Sequence, residues 1–295
     1  MSVSTSIPAP VPASRKPAGQ RRRRGPSAYV ILGGLIVLAI VMLLPFVLVA
    51  LNAVKTPSDF AAHGPVSLPT SVSFAGIANF WSLVDFTRLL WNSLLISTCV
   101  AAGAVVLSVL NAYALGIGRI KGRNWILAIF LLANFLPQES LVYPLYYVAK
   151  QVGLYDTQLS VIIILTVIQA AFGTYLLSSV LATFPRELLE AARIDGAGRW
   201  RVLWRVVVPI SRPTMLVMLT LFFLWTWNEF FLPVIFLISN QNQTVPVALA
   251  LLQGQHFFNP TTMSAAALLG IFPAVVFFLL FQRTLTRGIT VGALR

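Results

Sequence analysis

The chain has 295 residues, 58% of them hydrophobic and only 10% charged, with a formal net charge of +13 and a mean hydropathy of +0.84. A water-soluble domain sits nearer half apolar and a quarter charged, so the composition excludes an ordinary soluble domain and points to the membrane. A single cysteine, Cys99, excludes a disulfide within the chain.

In chain order, the first 27 residues are rich in Pro, Ala, Ser and Arg, which predicts a disordered basic tail over 1–27. Six runs follow that are long enough to cross a hydrocarbon core of ~30 Å as helices. They are Ala28–Ala53, Leu89–Gly116, Trp125–Ala149, Ser160–Phe184, Pro213–Ile238 and Met263–Phe281. None alternates with a period of two, which excludes a β-barrel. "RRRRGPSAYVILGG" has the charge of a signal peptide, but its apolar stretch is too long and predicts an uncleaved signal anchor. Cys99 falls inside the second run and reads as a small packing residue.

Lys and Arg set the orientation. Arg15, Lys16, Arg21 to Arg24, the "RIKGR" loop, six arginines between Pro185 and Arg212, and Arg283, Arg287 and Arg295 fall on one side. Only Lys55, Arg88 and Lys150 fall on the other. By the positive-inside rule, both termini and the polar segment 185–212 are cytoplasmic. The basic tail is then a topology signal and requires no nucleic acid, although such a tail also suits anionic lipid.

Catalytic patterns are absent from the sequence. No Lys follows a Gly, which removes a phosphate-binding loop of the G-x-x-x-x-G-K-S/T kind. His63 and His256 lie in predicted external loops without the spacing of a zinc site, and no G-x-S-x-G occurs. The chain is thus no enzyme by itself, and uphill movement would draw on an ion gradient or on another polypeptide. Glu139 and Glu229 are the acids inside predicted spans, with no buried base to relay protons and no matching halves. That argues against an ion-coupled carrier.

The segment "FPRELLEAARIDGAG" predicts a short helix, with Pro185 at its first position, Glu187 in its first turn and Gly196 as its stop. "RWRVLWRVV" predicts a second helical piece carrying Trp200, Leu203, Trp204 and Val207 on one face, broken off by Pro209 and Pro213 before the fifth run. Such an elbow is either an interfacial connector resting on headgroups or a docking element for a cytoplasmic partner.

The order Glu190-Ala191-Ala192, then Gly196, then Val206-x-Val208-Pro209 resembles the EAA loop of ABC importer permeases, with Val in place of the usual Ile and Leu. Asp195 before Gly196 resembles the carbohydrate-importer form. "NSLLIS", "PLYYVAKQVGLYDTQLSVIIIL", "FPREL", "WNEFFLP", "TVPVALALL" and "RGITVGALR" are similar to the same family, in the same order, from Leu89 to Arg295. The resemblance is to the second permease of maltose-type systems. It implies an all-α integral membrane protein of six transmembrane helices with the type I ABC importer permease fold and cytoplasmic N and C termini. Residues 28–88 would hold the first span and an external loop, 89–282 the transmembrane core with a coupling loop at 185–212, and 283–295 a cytoplasmic tail.

The resemblance further implies that Glu190, Ala191, Ala192, Asp195 and Gly196 form the surface coupled to an ATPase. ATP and Mg would be bound by that partner, leaving no cofactor in this chain. The implied partners are a second permease, two ATP-binding subunits and an extracytoplasmic solute-binding protein, in a prokaryotic cytoplasmic membrane. The external segments Lys55–Arg88 and Ser239–Thr262 are candidate contacts for the binding protein. Glu139, Asn228 and Glu229 are candidate pathway residues. For Glu139 a structural hydrogen-bonded acid is the other reading, and for Asn228 and Glu229 a water-facing position at the outer end of the span. Trp225, Trp227 and Phe230 either stack on sugar or form an interfacial belt. A permease for polyamine, phosphate or peptide is the alternative of the same class.

Overall fold

The computed structural model describes residues 26–118, 120–254 and 259–293, and every regular element among them is helical. The basic tail 1–25 lies outside the described residues. The chain falls into two compact units, 1–47 and 48–295. Helix α1 (Pro26–Ala53) carries the most apolar span, with a mean hydropathy of 3.0 over its best window.

The predicted external loop 54–88 is structured. Thr56 Oγ1 accepts the Asp59 N–H at 3.2 Å and Pro57 fills the first helical position, which starts α2 (Pro57–His63). Lys55 is fully buried beneath this turn, its ammonium donating to Gly64 O at 2.9 Å and Ser67 Oγ at 3.0 Å. Helix α3 (Ala75–Leu83) leads into α4 (Phe86–Gly116).

The second unit is built on α4 and α7 (Gln158–Ala182). Gly103 abuts Thr166, Ser108 donates to Ala170 O at 3.3 Å, Asn111 to Thr174 Oγ1 at 3.3 Å, and Gly116 abuts Leu181. The sequence offset between partners stays almost constant, so the two helices run parallel. The chain between them must therefore return from one end of the pair to the other. It does so through α5 (Arg123–Ala133) and α6 (Gln138–Gln151), which meet at 95° across residues 134–137. The third predicted run is a broken one.

Lipid tails are as apolar as leucine, so close packing rather than the hydrophobic effect holds such helices together. Gly173 shows how close: a Cβ there would stand 2.7 Å from Met218 Cε and 3.0 Å from Phe222 Cζ. These two belong to α10 (Val208–Trp227), which runs antiparallel to α4 and α7. Cys99, expected among packing residues, is exposed on α4 instead. The chain closes with α11 (Phe231–Phe236), α12 (Val245–Gly254) and α13 (Pro260–Ala293), whose Gly270 carbonyl accepts from Trp227 Nε1 at 3.2 Å. Backbone of the predicted tail 283–295 is thus helical as far as Ala293.

Candidate functional site

At one end of the bundle stands the elbow. Helix α8 (Arg186–Ile194) begins one residue after the expected Pro185 and ends at Gly196, whose φ of 72° only glycine adopts freely. Gly196 N–H donates to Arg193 O at 3.0 Å and Ala197 N–H to Ala192 O at 2.9 Å, the paired bonds of a Schellman stop. Leu189, Ala192 and Ala197 pack on the core, which turns Glu190, Ala191, Asp195 and Gly196 outward. Ile194 beside them is 87% exposed, an apolar side chain with nothing over it.

Past the elbow the sequence reading needs correcting. Helix α9 (Arg199–Val202), a π-turn over Leu203–Val207 and α10 form one continuous span from Arg199 to Trp227, so Pro209 and Pro213 do not break it. The π-turn widens the helix just before Pro209, with Val208 N–H reaching back five residues to Leu203 O. That extra residue relieves the crowding a proline ring imposes on the preceding turn. It also splits the expected stripe: Leu203 and Val207 are buried, while Trp200 and Trp204 are 66% and 49% exposed. Tyr113 at the end of α4 donates to Arg199 O at 3.0 Å and pins the elbow to the bundle, a role no sequence signal announced.

A cavity of about 720 Å³ lies among the α5–α6 bend, α7 and the end of α10. Asn228 and Glu229 line it. Glu139 does not; it is exposed and makes no hydrogen bond among the described residues, while its neighbour Gln138 faces the cavity. Trp225 lines the wall edge-on to Phe172, whereas Trp227 is buried. Glu229 Oε1 accepts the N–H groups of Phe231 at 3.1 Å and Leu232 at 3.3 Å, capping α11. Gln169 is a wall residue the sequence reading passed over, though it is the one carboxamide in the apolar run Ser160–Phe184.

At the other end, segment 239–244 is fastened from two sides. Asn92 donates to Gln241 O and Gln243 O, both at 2.9 Å, and Ser93 Oγ accepts from Val245 N–H at 2.9 Å. Asp156 accepts from Ser239 N–H at 3.0 Å and from the Ser239 hydroxyl, while Asn242 donates to its backbone carbonyl at 2.6 Å. The bonds from Ser239 hold the Asp156 carboxyl below the usual carboxylate range. Among the described residues no cluster of His, Cys, Asp or Glu could hold a metal ion.

Long apolar helices surround a polar-studded cavity, with a surface elbow at one end. The chain belongs to the family of binding-protein-dependent transport system inner membrane components, which matches residues 18–291. It is 31% identical over 267 residues to the inner membrane ABC transporter permease protein YcjP of Escherichia coli, covering 89% of this chain and 94% of that one. It is 30% identical over 264 residues to the trehalose/maltose transport system permease protein MalG of Thermococcus litoralis, covering 89% and 95%. A solved bacterial ABC transporter for import of the acidic polysaccharide alginate shares the fold, with a TM-score of 0.71, 21% identity and coverage of 87% and 96%.

Proposed function

We propose that this chain is a membrane-spanning subunit of an ATP-driven sugar importer in a prokaryotic cytoplasmic membrane, coupled to separate ATPase subunits through the elbow at Glu190–Gly196. The observation that carries the coupling role is the elbow itself. An acid, a small residue and an uncovered Ile194 face outward, while the same short helix packs on the bundle through Leu189 and Ala192 and Tyr113 ties down the next helix at Arg199 O. Force applied at such a tip passes to the ends of α4 and α10. Sugar as cargo is supported by the names of relatives such as the trehalose/maltose permease. The parallel α4–α7 pair requires the α5–α6 bend to recross the bundle, which supports six crossings; with the distribution of Lys and Arg, both termini are then cytoplasmic. A second permease, two ATP-binding subunits that hold ATP and Mg, and an external solute-binding protein complete the assembly.

The test is co-purification of the ATPase with tagged permease. Glu190→Ala removes one side of an interfacial charge pair, a loss of ~2–5 kcal/mol where buried and less at a wet rim. Gly196→Pro fixes φ near −65° and deletes the N–H that closes the helix. Both variants should reach the membrane at normal level with the ATPase weakly held and transport lost. Retention of the ATPase by both would sink the coupling role, and uptake that survives loss of any ATPase but collapses with an uncoupler would make the chain an ion-coupled carrier.

A further inference from the structure

Beyond the Gly196 turn, one side of the helix carries charge with nothing over it. Val202, Leu203, Val207 and Ser211 are buried and mark the side packed on the bundle. Trp200, Arg201, Trp204, Arg205 and Arg212 are all exposed on the other side. From Gly198 to Asn228 the sequence has four arginines and no acid. Arg201, Arg205 and Arg212 make no hydrogen bond or ion pair among the described residues, and the indole N–H groups of Trp200 and Trp204 have no acceptor there. The span Arg199–Trp227 has 29 residues, about 43 Å of helix at ~1.5 Å per residue. A hydrocarbon core is ~30 Å thick, so at ordinary tilts roughly seven to nine residues stand outside it. Arg199, Arg201 and Arg205 all fall near the start, and the far end closes on Thr226 and Trp227 without charge, so the excess lies at the arginine end. Arg212 then enters about one turn inside the hydrocarbon, where a bare charge is costly and the side chain must snorkel back to an anion.

We propose that Arg201, Arg205 and Arg212, flanked by Trp200 and Trp204, hold an anionic phospholipid headgroup of the cytoplasmic leaflet, and that this lipid steadies the elbow. The inference rests on the cytoplasmic placement of the elbow and adds a ligand to it. A guanidinium group pairs two N–H donors with two phosphate oxygens, a geometry that an ammonium cannot match. Phosphatidylglycerol brings a phosphate and a neutral glycerol, whereas a zwitterionic headgroup sets its own cation against the arginines. Tryptophan belongs at the same depth, its ring among the acyl chains and its N–H toward the headgroups. An acidic face of the ATPase would answer the charge but neither the two exposed indoles nor the depth of Arg212. The elbow then has two surfaces in succession: Glu190 to Gly196 for a protein partner, and Trp200 to Arg212 for lipid.

The test uses the complete complex, solubilised and stripped of lipid, then titrated with phosphatidylglycerol or phosphatidylcholine while native mass spectrometry counts what is retained. Wild type should prefer phosphatidylglycerol, and each arginine removed should weaken that preference by about fivefold. The double variant Arg205→Gln with Arg212→Gln should therefore lose most of it. Arg186→Gln removes one charge from α8, off this face, and should keep it. Should the double variant not assemble, Arg205→Gln alone carries the same test at the smaller change. In nanodiscs, replacing phosphatidylglycerol by phosphatidylcholine should quicken hydrogen exchange over 197–205 in wild type and leave the double variant unaffected. Equal retention of the two lipids by wild type overturns the proposal, as does undiminished preference in an arginine variant. An arginine variant that sheds the ATPase while keeping its lipid makes this face a protein dock instead. Retention of the ATPase by Glu190→Ala, with the lipid preference intact, sinks the coupling role and leaves the lipid site standing.

Discussion

Asp156 and Glu190 are both acids outside the apolar runs, and their surroundings give them opposite uses. Glu190 is exposed and makes no hydrogen bond among the described residues, so its charge is available to a partner. Asp156 is consumed internally, with both carboxylate oxygens engaged by Ser239. Its native pKa is depressed, so its contribution to stability is complete above the unfolded carboxyl value of ~3.9 and is lost as pH falls through the lower native value. At neutral pH the fastening is fully charged and insensitive to pH. Asp156→Ala should cost about 1–3 kcal/mol, because it frees the N–H and hydroxyl donors of Ser239 together, while Asn242 keeps its bond to the backbone carbonyl. Hydrogen exchange over 238–244 should quicken markedly while α4 and α7 keep their protection. Unchanged exchange there would mean that Asn92 and Ser93 hold the segment alone.

The elements show what the sequence made legible. Apolar length alone placed α1, α4 and α7 to within a few residues; the fifth run, Pro213–Ile238, overran the end of α10 at Trp227 into α11, and α13 continues past the expected Phe281, while the stop at Gly196 followed from glycine's freedom at positive φ. Periodicity failed at Trp200–Val207, because the turn from Leu203 to Val207 is wound wider than an α-helix and carries Val207 away from the two tryptophans. The rule that an acid inside a span faces the pathway failed at Glu139, where one step along a helix turns a side chain by about 100° and Gln138 faces the cavity instead. The pairing of Tyr113 with Arg199 O spans 86 positions and had no local signal at all. Tyr113→Phe tests that strut. Arg199 O keeps the Leu203 N–H, so no buried acceptor is orphaned and stability should fall by only about 0.5–1.5 kcal/mol. Sugar moved per ATP hydrolysed in proteoliposomes should drop while the ATPase stays bound. An unchanged ratio would leave Tyr113 as packing alone.

Across the whole molecule, the six crossings proposed above make a labelling map. A cysteine placed at Gly122 should react only from the cytoplasm, and cysteines at the exposed Ser71 and Gln241 only from outside, with the exposed native Cys99 first replaced by Ser. External reaction at Gly122 would invert the bundle and carry the elbow away from any cytoplasmic ATPase. The bend that permits this map also bears on how the protein is made. Segments α5 and α6 have 11 and 14 residues, each shorter than the ~20 that partition into a bilayer unaided. Helix α5 packs on α7, which is synthesised later. A third crossing built from these two short segments would gain its packing partner only once Gln158–Ala182 has emerged. Until then the nascent chain holds a short bent segment without its packing partner, and membrane chaperones and quality-control proteases have that interval in which to act on it.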